Sequence, residues 1–159
     1  MKRIPTIFLQ AVIVLIGMVV LAILIRFPLT EGRAANLDLF SIYADPFILY
    51  GYVASIAFFV ALYKAFKLLG YIGQNKVFSS DSVETLKSIK YCAIVLSILI
   101  AIAGLYIRIS HTKEDDPAGF IAMCIVTTFV SIVVATAAAI FEKILQNAMD
   151  MKSENDLTI

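Results

Sequence analysis

The sequence predicts an all-α integral membrane protein, a four-transmembrane-helix bundle with both termini inside and long third and fourth helices that extend into the cytoplasm. Three observations carry this expectation. The chain of 159 residues is 61% apolar and only 16% charged, which excludes an ordinary soluble globule, a disordered chain and a nucleic-acid-binding protein. Four mostly apolar runs carry no charge: Ile7 to Ile25, Phe47 to Tyr63, Tyr91 to Ile107 and Pro117 to Phe141. Each is close to the ~20 residues that cross a ~30 Å hydrocarbon core as a helix, and snorkelling lysines lengthen the two shorter ones. Finally, nine basic residues fall on one side (Lys2, Arg3, Lys64, Lys67, Lys76, Lys87, Lys90, Lys143, Lys152) and four on the other (Arg26, Arg33, Arg108, Lys113). The positive-inside rule then puts both termini in the cytoplasm. The carboxylates divide evenly and do not bear on orientation.

These observations set spans at about 5–27, 46–68, 88–109 and 117–141 in a single membrane domain, followed by a cytoplasmic helix extension and tail over 142–159. Lys2 and Arg3 precede the first span as they would a signal peptide. Its apolar run is longer than the usual h-region and no A-x-A site follows promptly, so it reads as an uncleaved span. Within it, Gln10 is the strongly polar residue, expected to find a partner on a neighbouring helix.

The outer segment from Arg26 to Pro46 is bracketed by Phe27-Pro28 and Asp45-Pro46, because proline disfavours helix in the residue before it. Between them Leu37, Leu39, Phe40, Ile42 and Tyr43 are too apolar for a solvated loop. They read as a short segment resting on the outer helix ends or in the lipid interface. A lid over an outward-facing pocket is the sharper alternative. The second span is rich in aromatics, with Tyr50, Tyr52 and Tyr63 near its ends as in an interfacial belt, and Lys64 and Lys67 suit both its negative end and anionic headgroups.

In the cytoplasmic connection, Gly70 and Gly73 are positioned to end the second helix. Ser79 to Glu84 offers a cap, with Glu84 three positions after Asp81, so the third helix is expected to begin in water. Small residues recur along the third span at Ala93, Ser97, Ala101 and Gly104, and along the fourth at Thr127, Ser131, Ala135 and Ala139. Such stripes let helices approach closely in lipid. No carboxylate or lysine lies within the runs, which argues against an ion-coupled transport path.

Cys92 and Cys124 are separated by roughly 20 Å in depth at 1.5 Å per residue, too far for a disulfide. His111, Glu114, Asp115 and Asp116 in the second outer loop, with Glu31, Asp38 or Asp45, are a weak candidate for a divalent cation. A solvated loop that also caps the next helix explains them, so no metal and no cofactor are expected. The fourth helix continues through Glu142, Lys143, Ile144, Leu145, Met149 and Met151 with apolar residues on one face, fit to dock on the cytoplasmic loop or on a partner. The closing Glu154-Asn155-Asp156-Leu157-Thr158-Ile159 suits an extended peptide that pairs with an edge or groove.

Lys2-Arg3 ahead of the first span, the Val77-Phe78-Ser79 lead into Asp81-Ser82-Val83-Glu84-Thr85-Leu86-Lys87-Ser88-Ile89, and the Glu154 to Ile159 ending together resemble a bacterial family known as domain of unknown function 2975. The resemblance covers most of the chain. It implies a tetraspan protein of the bacterial inner membrane, often encoded beside a small helix-turn-helix regulator, and hence a membrane sensor or anchor for such a partner. It supplies no catalytic residue. Phe78, Glu84, Glu154, Asn155, Asp156, Leu157, Thr158 and Ile159 are the candidate partner-binding positions.

The leading expectation is therefore a non-enzymatic membrane protein that binds a cytoplasmic partner, without contacting nucleic acid itself, with a homo-oligomer possible. The alternative is a small transporter or immunity-type protein that binds a lipophilic ligand between helices. A continuous apolar cavity open sideways to the bilayer discriminates for the latter. An enzyme is the weakest reading, since His111 is the sole histidine and no nucleophile has an evident base.

Overall fold

In a computed structural model, residues 3–30, 38–110 and 117–156 are described. They form five helices: α1 (Arg3–Thr30), the short α2 (Leu39–Tyr43), α3 (Pro46–Gly73), α4 (Ser80–Ser110) and α5 (Ala118–Asp156). Four of them, α1, α3, α4 and α5, are long and apolar enough to span a membrane. The two ends of the molecule are called here the α2 end and the basic end, after Lys64, Lys67, Lys76, Lys87 and Lys143.

The long helices stand in a row that follows the chain. α5 packs most extensively on α4, α4 on α3 and α3 on α1, whereas α1 and α5 share no substantial contact among the described residues. The bundle is thus open along one side, between its first and last helices.

The α4–α5 seam has a regular period. On α5 the buried positions are Cys124, Ser131, Ala135, Ala138 and Leu145, and on α4 they include Leu86, Ile89, Ala93, Ser97 and Gly104. Steps of three, four and seven give a period near 3.5, the spacing of coiled-coil packing. At the α2 end of this antiparallel pair, a Cβ on Gly104 would lie 3.1 Å from Cys124 Cβ. Glycine suits this place because the Cys124 side chain of the neighbouring helix comes so close that a larger residue would have to push it aside. Toward the basic end Lys90 Nζ donates to Glu142 Oε2 at 2.6 Å, with both side chains mostly buried. Beyond it Leu86, Ile89, Ala138 and Leu145 form a cluster joined by Leu68, Val77 and Val83. The extension of α5 therefore docks on its own chain at least as far as Leu145.

The seam differs in phase from the expected stripe. Thr127 is exposed and Ala139 half-buried, while Cys124 and Ala138 are buried; Ala101 on α4 is exposed as well. A strict step of four drifts around a helix, and the alternation of four and three keeps the seam facing its partner.

Two boundaries also differ from expectation. α1 runs through Pro28 rather than stopping before it. α3 passes Gly70 and ends at Gly73, one of the two expected stops, in a Schellman turn in which Lys76 N donates to Tyr71 O at 2.9 Å, Asn75 N donates to Ile72 O at 3.2 Å and Asn75 takes φ 59°. Asparagine tolerates that left-handed backbone better than most residues. The two glycines also admit α1: a Cβ on Gly73 would lie 3.1 Å from Thr6 Oγ1 and one on Gly70 3.5 Å from Gln10 Nε2. The α4 cap is Ser79, not Asp81: its Oγ accepts from Ser82 N at 3.3 Å and its hydroxyl donates to Lys76 O at 2.8 Å. Ser82, with no exposed surface, adds a hydroxyl bond to Lys76 O at 3.1 Å.

Replacing Gly104 by valine is expected to cost about 1–3 kcal/mol by overpacking the seam, and Cys124→Ala should recover part of that loss. Thermal unfolding in detergent of both single variants and the double variant measures it. Among the described residues one buried hydroxyl, Thr128 Oγ1, has no hydrogen-bond partner. Thr128→Val removes it at nearly constant shape and should raise stability by about 1 kcal/mol in the same assay.

Candidate functional site: an apolar cavity at the α2 end

A cavity of about 410 Å³ lies among α1, α3, α4 and α5, within the range of small-molecule sites. α1 contributes Val20, Leu24, Phe27 and Pro28; α3 contributes the stretch from Phe47 to Phe58; α4 contributes Leu96, Leu99, Ile100 and Ala103; α5 contributes Phe120, Met123, Cys124 and Thr127. All lie in the α2-end half of their helices. No charged residue is among them.

Phe47 closes the α2 end. It sits one residue beyond the start of α3, where Asp45 caps the helix by accepting from Phe47 N at 2.8 Å and Pro46 supplies the first turn, a combination that suits a helix start. Its ring stacks on Tyr106 of α4 at 6.4 Å between centroids and meets Phe120 of α5 at 5.6 Å. α2 rests on α1 and α3 through buried Ile42 and lines no part of the cavity, so it matches the resting segment rather than the lid.

The wall formed by α1 follows from Pro28. Proline has no N–H, so the carbonyl of Leu24, four residues earlier, has no partner within the helix. In hydrocarbon an unpaired carbonyl is costly, and such freed groups are met by neighbouring side chains. The hydroxyl of Tyr52 on α3 donates to Leu24 O at 3.0 Å, and that of Tyr43 on α2 donates to Ile25 O at 3.1 Å. On the opposite wall Tyr50 donates to Leu99 O of α4 at 2.6 Å. Tyr50 and Tyr52, expected only as an interfacial belt, and Tyr43 of the outer segment thus tie α3 and α2 to the backbone of the flanking helices. The signal that links Tyr52 to Leu24 in the sequence is Pro28 itself.

At the far end of α1, Gln10 Nε2 donates to Phe66 O of α3 at 3.2 Å, the expected interhelical partner. Cys92 and Cys124 are both free thiols. Cys124 is level with Gly104, twelve residues along α4 from Cys92, or about 18 Å in depth. Among the described residues no cluster of histidine, cysteine, aspartate or glutamate could hold a metal; the segment 111–116 considered for a cation lies outside them.

The candidate partner-binding residues lie toward the basic end. Phe78, 62% exposed, stands in the α3–α4 connection, and Glu84 is exposed on α4. Glu154 and Asn155 are exposed on the last turn of α5 and Asp156 ends that helix. This corrects the expected extended peptide: 154–156 are helical and end α5. Leu157, Thr158 and Ile159 lie outside the described residues. Lys90 and Glu142, which the sequence reading did not pair, are the charged contact that joins α4 to α5. Because each meets the other, reversing either charge alone is expected to lower stability more than reversing both, as unfolding of Lys90→Glu, Glu142→Lys and the double variant will measure.

A double-mutant cycle tests the carbonyl argument. Tyr52→Phe should cost about 1 kcal/mol in the native chain and clearly less in a Pro28→Ala background, where residue 28 regains an N–H for Leu24 O. Equal costs in both backgrounds would detach Tyr52 from the proline.

Comparison with known proteins agrees with this architecture. The family described as "Protein of unknown function (DUF2975)" matches residues 28–159. The chain is 45% identical over 161 residues to the "Uncharacterized membrane protein YoaS" of Bacillus subtilis (strain 168), covering 100% of both chains. No solved structure matches. By the extent of the family match and the full-length likeness to a membrane protein, the chain belongs to the DUF2975 family.

Proposed function

We propose that this protein is a non-enzymatic sensor of the bacterial inner membrane, with a lipophilic molecule held in the α2-end cavity as its input and a partner at the basic end as its output. The observation that carries the reading is α5. This single 39-residue helix walls the cavity with Phe120, Met123, Cys124 and Thr127 and continues unbroken to Asp156. At about 1.5 Å per residue it is close to 58 Å long, so a tilt imposed at the cavity displaces the other end. The basic residues gathered at that end support a cytoplasmic position for it. Exposed Phe78, Glu84, Glu154 and Asn155 supply contacts there, and a small helix-turn-helix regulator is the partner that the family resemblance suggests. Absence of any charged group in the cavity supports binding over chemistry and over ion-coupled transport.

A second reading, a carrier that passes a lipophilic molecule between the leaflet and the outer surface, is favoured by one feature, the gap between α1 and α5. The two differ in their need for a cytoplasmic partner. Capture of the full chain from gently solubilised native membranes, beside a chain truncated after Lys152 and a Phe78→Ala variant, separates them. A sensor is expected to recover a regulator with the full chain and to lose it in the truncation, with weaker recovery for Phe78→Ala. The same proteins, or none, from all three would remove the partner and leave the carrier.

A further inference from the structure

We infer that the cavity holds the hydrocarbon chain of a membrane phospholipid taken sideways from the leaflet at the α2 end. This names the ligand class of the proposed sensor site and rests on that half of the reading; it does not depend on the partner.

The polar groups on the walls decide the chemistry. Four hydroxyls reach the lining, those of Tyr50, Tyr52, Ser55 and Thr127, and each donates to a backbone carbonyl: Leu99, Leu24, Tyr52 and Met123 respectively. Their donors are spent inside the protein. A solute acceptor such as a carbonyl or carboxylate entering here would give up its hydration without a hydroxyl donor to replace it, a cost of about 1–3 kcal/mol or more for each unpaired group. A hydrocarbon chain gives up nothing.

Position decides the source. The walls come from the α2-end halves of the spans, at the depth of acyl chains, and the side left open between α1 and α5 faces lipid in a bilayer. A volume of about 410 Å³ suits a chain rather than a whole phospholipid, so the headgroup stays outside. Exposed Arg26 directly precedes the lining residues Phe27 and Pro28, which sets a cation at the level where the phosphate of such a lipid would lie.

Gly51 makes the proposal testable without disturbing the fold. It lines the cavity, and a Cβ built on it meets nothing within 4 Å. Leucine at this position fills the space and is a better helix former by about 0.8–1 kcal/mol. Gly17 is equally free of neighbours and does not line the cavity, so Gly17→Leu is the control. The full chain and both variants are reconstituted in vesicles of phosphatidylethanolamine and phosphatidylglycerol containing phosphatidylglycerol with a photoactivatable diazirine in its acyl chain. Covalent adducts are then mapped by mass spectrometry, and thermal stability is measured in parallel.

Adducts are expected to concentrate on Cys124 and Thr127 over Ile125 and Val126 of the same helix. They should fall several-fold in Gly51→Leu and persist in Gly17→Leu, with both variants folded. Even labelling around α5, or labelling of Gly51→Leu at the native level, would overturn the proposal, as would a Gly51→Leu chain that fails to assemble, since the space would then not be vacant. Displacement of the probe by an uncharged lipophile other than phospholipid would overturn the assignment of source. None of these results bears on partner capture, so the two halves of the sensor reading fail separately.

Discussion

Apolar side chains gain nothing by leaving lipid, so helices in a bilayer are held together by close contact of small residues and by pairing of polar groups. The approach of α4 to α5 at Gly104 and Cys124 is where this constraint acts most directly. It sets the phase of the α4–α5 seam, which in turn brings Lys90 to Glu142 and Leu86 toward Leu145 farther along. α3 is then fixed on α4 through Tyr50 and the Leu68 end, and α1 on α3 through Gly70, Gly73 and Tyr52. Each step repeats the same solution: a glycine where a side chain of the neighbouring helix comes close, or a side-chain donor for a main-chain carbonyl.

The cavity is a product of these same contacts. α1 is held mainly near its two ends, by Thr6 and Gln10 against the α3 glycines and by Leu24 and Ile25 under two tyrosine hydroxyls. Gly51 leaves space on the α3 wall. Since α5 turns its seam toward α4, nothing draws it across to α1, and an apolar hollow remains. Aromatic rings gathered around Phe47 close one end of it, and the hydroxyls on its walls have their protons committed to backbone carbonyls.

Much of the architecture was legible because it rests on local signals. Uncharged runs of spanning length mark the four helices, and lysines mark their ends. Gln10 announces an interhelical bond because an amide in hydrocarbon must find a partner. Other features were hidden for identifiable reasons. Gly70 and Gly73 read as helix stops, and the helix does end at Gly73, but their second role of admitting α1 depends on a segment distant in the chain. Pro28 breaks a helix in water, where its freed carbonyl is hydrated, but is accommodated here because Tyr52 reaches that carbonyl. Thr127 looked like part of the seam because a step of four approximates a helix face over two turns, whereas the cavity and the seam are adjacent faces of α5. Neither the row of helices nor the cavity is a property of any one segment, so neither left a local trace. The exposed residues toward the basic end, Phe78, Glu84, Glu154 and Asn155, were placed on elements without being joined into one surface.

The order of helices along the row has a consequence for biogenesis. Chain order and spatial order coincide, so each span emerging into the membrane finds its neighbour already inserted. No span has to wait for a later one to provide its main contact, and loop closure stays local at every stage. α4 and α5, which share the most extensive interface, are the last to meet. Assembly therefore ends with its most binding step, after the more loosely held α1 and α3 are already in place.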